Sequence, residues 1–116
     1  MPGCVLRAGG PTFSPADFVD AFPVANIAVR GGTLIVSVSQ RDGHDFSGQV
    51  LDAIAYLHTH ESAIRQLLGQ PGVQAYLDFG VYYKAAFCQS SAFAPELVAA
   101  AGILGLGLEI SMYASP

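Results

Sequence analysis

Residues 47–70, SGQVLDAIAYLHTHESAIRQLLGQ, constrain the chain more than any other stretch. Val50, Ile54, Leu57, Ile64 and Leu68 recur at helical steps, and at about 100° per residue they fall on one stripe. Asp52, Thr59, Ser62 and Gln66 fall opposite it. Ser47 is placed to cap the first turn, with Phe46 and Leu51 at the spacing of a hydrophobic staple. Gly69 suits a left-handed end, and Pro71 stops the helix. The pattern predicts one long amphipathic helix packed on a small sheet.

Glu61 interrupts the stripe one turn after Leu57. His58 and Arg65 stand three residues before it and four after it, within side-chain reach. Either Glu61 pairs with Arg65 at the rim, or His58, Glu61 and Arg65 line a pocket with Glu61 as a candidate acid or base. The run His58-Thr59-His60-Glu61 is not a zincin motif, because its two histidines are two residues apart, about 200° around the axis.

The chain has 116 residues, the size of one domain with its own core. Charged residues make up 12%, against about 25% in typical domains, while 52% are hydrophobic. So little charge implies that surface is hidden in a homo-oligomer or against a protein partner. Net charge is −4 with only five Lys and Arg and no basic run, which argues against nucleic acid and anionic membranes as partners. No apolar run follows Met1 or approaches a membrane span, so a cytoplasmic protein is expected. Cys4 and Cys88 lack metal-like spacing and read as two buried thiols, without disulfide, metal or cofactor.

Residues 4–8 read as a first strand, ended by Gly9-Gly10-Pro11. Ser14-Pro15-Ala16-Asp17 starts a short helix, with Ser14 as cap, and Pro23 closes it. Residues 24–30 and 33–40 are strands joined by Gly31-Gly32 in a hairpin. In the second, Leu34, Val36 and Val38 should face the core. Residues 73–83 form the longest strand, with Val73, Ala75, Leu77, Phe79, Val81 and Tyr83 on one face. Gln74, Tyr76, Asp78, Gly80 and Tyr82 take the other. Residues 84–93 are irregular, 95–104 a helix ended by Gly105, and 106–113 the last strand. There Leu106, Leu108, Ile110 and Met112 point inward.

This order predicts an α+β fold: a ferredoxin-like split β-α-β sheet with an added helix and strand. Right-handed crossovers put the helices on one face. The other face stays open and should carry Arg7, Ile35, Ser37, Tyr76, Asp78, Tyr82, Glu109, Ser111 and Tyr113.

Cys4-Val5-Leu6-Arg7, the helical stretch 49–57, Leu77-Asp78-Phe79-Gly80, Ala94-Pro95-Glu96-Leu97-Val98 and the closing LGLEISMY of residues 106–113 occur in an order that resembles the bacterial proteins of domain of unknown function 4279. The strongest parts are residues 77–80 and 109–113. The resemblance implies a bacterial, cytosolic, single-domain α+β protein, and it carries over no catalytic residues. Residues 41–46 and 85–93 lie outside it.

Three further features bear on possible chemistry. His44 with Asp42 and Asp45 could touch a metal, but the loop lacks the spaced ligands and closing Glu of a calcium loop. The glycines of residues 102–107 open a strand, not a helix, so they present no helix N-terminus to phosphate. Ser90 and Ser91 have no nucleophile-elbow context.

The open face is the richest constellation. Asp78 and Glu109 share it with Arg7, Tyr76, Tyr82, Ser111 and Tyr113. Two converging carboxylates could act as an acid–base pair, or Arg7 could neutralise them and leave a tyrosine-rich contact surface. The leading expectation is a non-enzymatic binding or interaction protein that self-associates through this face. The alternatives are a small-molecule-binding or hydrolase-like domain, using Asp78, Glu109 and Arg7 or His58, Glu61 and Arg65, and an immunity-type partner protein.

Overall fold

Alternation of apolar and polar side chains gives the three central strands one buried and one more solvated face, and five strands assemble into a single sheet. The computed structural model describes residues 3–22, 27–84 and 87–115. Strands β1 (Cys4–Gly9), β2 (Ile27–Arg30), β3 (Thr33–Ser39), β4 (Gln74–Tyr83) and β5 (Gly107–Ala114) lie in the order β2-β3-β1-β4-β5. The first four are antiparallel neighbours, and β5 joins β4 in parallel. That is the ferredoxin-like order with one strand added by a β-α-β crossover.

Helices α1 (Phe46–Thr59), α2 (Glu61–Leu68) and α3 (Pro95–Leu104) cover one face. Cys4, Leu6, Ala8, Leu34, Val36, Ala75, Leu77 and Phe79 pack there against Val50, Ala53, Leu57, Ile64, Leu67, Leu97 and Ala101. The hairpin turns on Gly31, whose positive φ of 60° is open to glycine without strain. Gly105 ends α3 at φ 81°, its N–H donating to Ala101 and Gly102 carbonyls.

The expected single helix over residues 47–70 is two helices. His60 (φ −113°, ψ 23°) leaves helical geometry between them. Its ring packs 4.2 Å from Tyr56 and 6.0 Å from Phe22, which holds the elbow. The bend brings Leu67 into the core and leaves Leu68 half-buried. It also makes Glu61 the first residue of α2, so no charge intrudes on a continuous stripe. Helix α1 is capped by Asp45, which accepts from Gly48 N–H at 3.0 Å, and not by Ser47. The staple to Leu51 is therefore absent; Leu51 is exposed, and Phe46 packs on Phe79 and Phe93. Asp52 does not face solvent alone but accepts from Ser39 Oγ at 2.7 Å. Gly69 stays right-handed at φ −76°.

The short first helix is a 3₁₀ turn, Pro15–Phe18, with no side-chain bond from Ser14. Pro23 and the predicted strand start at Val24 lie outside the described residues. In β3 the register against β1 slips between Cys4–Ser39 and Val5–Ser37. Val38 is the extra residue of this bulge, and Ser39 takes the buried position expected for Val38.

Candidate functional site

Parallel pairing of β4 and β5 sets Asp78 beside Glu109, Gly80 beside Ser111 and Tyr82 beside Tyr113. Antiparallel pairing of β1 with β4 sets Arg7 beside Tyr76, two residues along from the Val5–Asp78 pair and on the same face. Arg7, Tyr76, Asp78, Glu109 and Ser111 thus meet on the face the helices leave open.

Arg7 is the hub. Its Nη2 donates to Glu109 Oε1 and lies 3.5 Å from Asp78 Oδ2. Asp78 also accepts from Ser111 Oγ at 2.7 Å. The Asp78 side chain is 14% exposed, against 38% for Arg7 and 45% for Glu109. The more secluded carboxylate therefore has two partners, Ser111 and the shared cation, and the more exposed one has the cation's direct hydrogen bond. Arg7 Nε is buried and has no hydrogen-bond partner among the described residues. Tyr76 lies across Gly107: a β-carbon there would stand 2.6 Å from its Cε1. The missing side chain is what lets the ring lie against β5.

Tyr82 departs from expectation. It is 5% exposed rather than an open-face contact residue. Its N–H donates to Gly43 O at 3.1 Å, and the His44 ring packs 4.4 Å from its own. The loop over residues 40–45 folds over the end of the face and buries it. Tyr83, assigned inward, is exposed, as are Met112 and Tyr113 near the end of β5.

That loop is tied down by Gln49, a residue the sequence reading passed over. Its fully buried Nε2 donates to the carbonyls of Arg41, Asp42 and Gly80 at 3.1, 3.2 and 2.9 Å. A polar residue beside Val50 on a buried helix face is the signal that could have found it. Arg41 braces the same loop, bonding Asp45 at 3.2 Å and Asp52 at 3.1 Å. Asp42 accepts from the backbone and ring of His44.

The second cluster lies on the helix side. Arg65 Nε donates to Glu61 Oε2 at 3.0 Å, and both side chains are about half exposed. His58, Glu61 and Arg65 line a groove of about 330 Å³ between the α1–α2 elbow and α3. Ile54, Leu57, Ala100 and Leu104 supply its apolar lining, with Glu96 among its charged groups. The open face and this groove are on opposite sides of the sheet.

Of the two cysteines expected to be buried, Cys88 is exposed; Cys4 is buried, and burial pushes its thiol well above the ordinary range, with Asp78 and Asp52 adding to the effect. A thiol held protonated is a poor nucleophile. Among the described residues, no group of three or more His, Cys, Asp or Glu is placed to hold a metal ion. Nor is any helix among them long and apolar enough to cross a membrane. No family model, curated protein or solved structure matches the chain.

Proposed function

We propose that the protein is a non-enzymatic interaction module that self-associates through its open sheet face. The observation that carries this reading is the engagement of both carboxylates by Arg7. An acid–base pair needs carboxylates left free to exchange a proton with a substrate. Here one guanidinium bonds Glu109 and pairs with Asp78, and Ser111 takes the other Asp78 oxygen. The result is a charge-compensated centre with Tyr76 beside it and Ile35 next to Arg7 on β3. Compensated charge flanked by aromatic and aliphatic groups suits a protein contact.

Ile35→Lys tests the reading. Ile35 is half-buried on the open face, two strands away from β4 and three from β5. Light scattering is expected to show an associated wild type and a variant of lower mass. A wild type that stays monomeric at high micromolar concentration defeats the proposal.

The groove supports a second reading, a site for a small amphiphilic molecule. An apolar lining with few polar groups is the usual make-up of such sites. Mass spectrometry of the native protein, with His58→Ala and Arg65→Ala as controls, tests it through a co-purified ligand that the variants lose. An immunity-type partner role belongs to the same interaction class, and co-purification with a neighbouring gene product would separate it. Placement in the bacterial cytosol and membership of the domain of unknown function 4279 family rest on the sequence motifs and on two unpaired cysteines.

A further inference from the structure

We propose that β5 is a second contact surface, separate from the open face, and that it receives the β5 of another copy of this chain in antiparallel pairing. Strand β5 ends the sheet, and among the described residues only β4 pairs with it. Among the described residues, one side of its backbone therefore presents unpaired N–H and C=O groups in an extended row.

Edges of this kind are normally blunted by shortness, lysine, proline or a bulge. The other edge, β2, follows that rule: it has four residues and ends on Arg30. Strand β5 does not. It has eight residues, GLEISMYA, without proline or lysine, and pairs with β4 in unbroken register from Tyr76–Gly107 to Tyr83–Ala114. The lack of a bulge keeps its outward amides and carbonyls in regular alternation, the pattern another strand pairs with.

Charge favours a second copy as the occupant. The one charged residue in β5, Glu109, is already held by Arg7 of its own subunit. Two β5 edges can therefore meet without opposing unpaired carboxylates. Antiparallel pairing about a two-fold axis uses the same residues on both sides, so each donor row meets an acceptor row of identical spacing. Met112 and Tyr113 point to opposite faces of the strand and are 66% and 49% exposed. Both gain cover from a strand laid alongside. The product joins two five-stranded sheets and sets their open faces side by side.

Hydrogen–deuterium exchange of the wild-type protein at low and high micromolar concentration, read with light scattering, tests this. The expected result is association accompanied by exchange about tenfold or more slower at the outward amides of residues 107–114, reversed on dilution. Association with unchanged β5 exchange overturns the edge contact and leaves the open-face reading standing. Association with β5 protection that persists in Ile35→Lys supports the edge contact even where the open-face contact fails. A protein that is monomeric throughout, with fast β5 edge amides, overturns it.

Discussion

The ring of Tyr76 occupies the space that a side chain on Gly107 would need, so the two residues fit each other across the β4–β5 pair. Gly107→Ala is expected to push the ring off β5. Overpacking a filled site destabilises by about 1–3 kcal/mol, and the exposed ring can swing aside, so the low end applies here. The check is a denaturation cycle with Tyr76→Ala. In that background Gly107→Ala should lose most of its effect, because the clash is gone. Additive effects would mean that the ring is not the obstacle.

Asp78 and Glu109 share one guanidinium but sit in unlike surroundings. Asp78 is nearly enclosed and also accepts from Ser111; Glu109 is about half exposed. Asp78→Asn is therefore expected to destabilise by about 1–2 kcal/mol, because it weakens a partly buried network. Glu109→Gln should stay below about 1 kcal/mol, since the water around it screens the pair. Urea denaturation of both variants decides the order. The reverse order would place the weight of the cluster at its exposed end.

Tyr56 offers a titration marker. Its hydroxyl is buried with no hydrogen-bond partner among the described residues, and burial pushes its pKa from 10.0 up to about 12. The folded form thus keeps its proton where the unfolded chain has lost it. The stability linked to this phenol is complete below pH 10 and is lost as pH rises through about 12. Absorbance titration should show a tyrosine ionising near the upper value, and Tyr56→Phe should remove that step. The variant leaves no group unsatisfied, so its stability is expected to match or exceed that of wild type by up to about 1 kcal/mol.

The parts legible in the sequence were those with a strong local period. Alternation located the strands, and Gly31-Gly32 located the hairpin, because each signal lies within a few residues. The open face followed, since one strand's parity fixes the side on which Arg7, Asp78 and Glu109 stand. What periodicity missed depends on distant contacts. The elbow at His60 is held by Phe22, nearly forty residues earlier in the chain. Burial of Tyr82 comes from a loop that meets the end of β4, and the slip that buries Ser39 in place of Val38 depends on pairing with β1. The cap at Asp45, two residues before Ser47, is a choice between two good cap residues. It is decided by where Phe46 finds Phe79 and Phe93.

Gln49 gives the sharpest pH test of that loop. Its amide nitrogen reaches three carbonyl oxygens, so the site asks for a donor. Gln49→Glu replaces the donor with a buried carboxylate facing those oxygens. Ionised, it is expected to destabilise by about 3 kcal/mol or more at neutral pH. Protonated, it can donate once and recover part of the loss. Burial and the facing carbonyls raise the folded carboxyl above its unfolded value near 4.3. The variant is therefore most stable below that value and weakens as pH rises through the folded pKa. Denaturation midpoints of variant and wild type should converge as pH falls toward about 4 and separate toward 7. Gln49→Met, which lacks the donor but carries no charge, should show a difference from wild type that stays flat over the same range. A pH-independent gap for Gln49→Glu would mean that the loop opens and lets water reach the carboxylate.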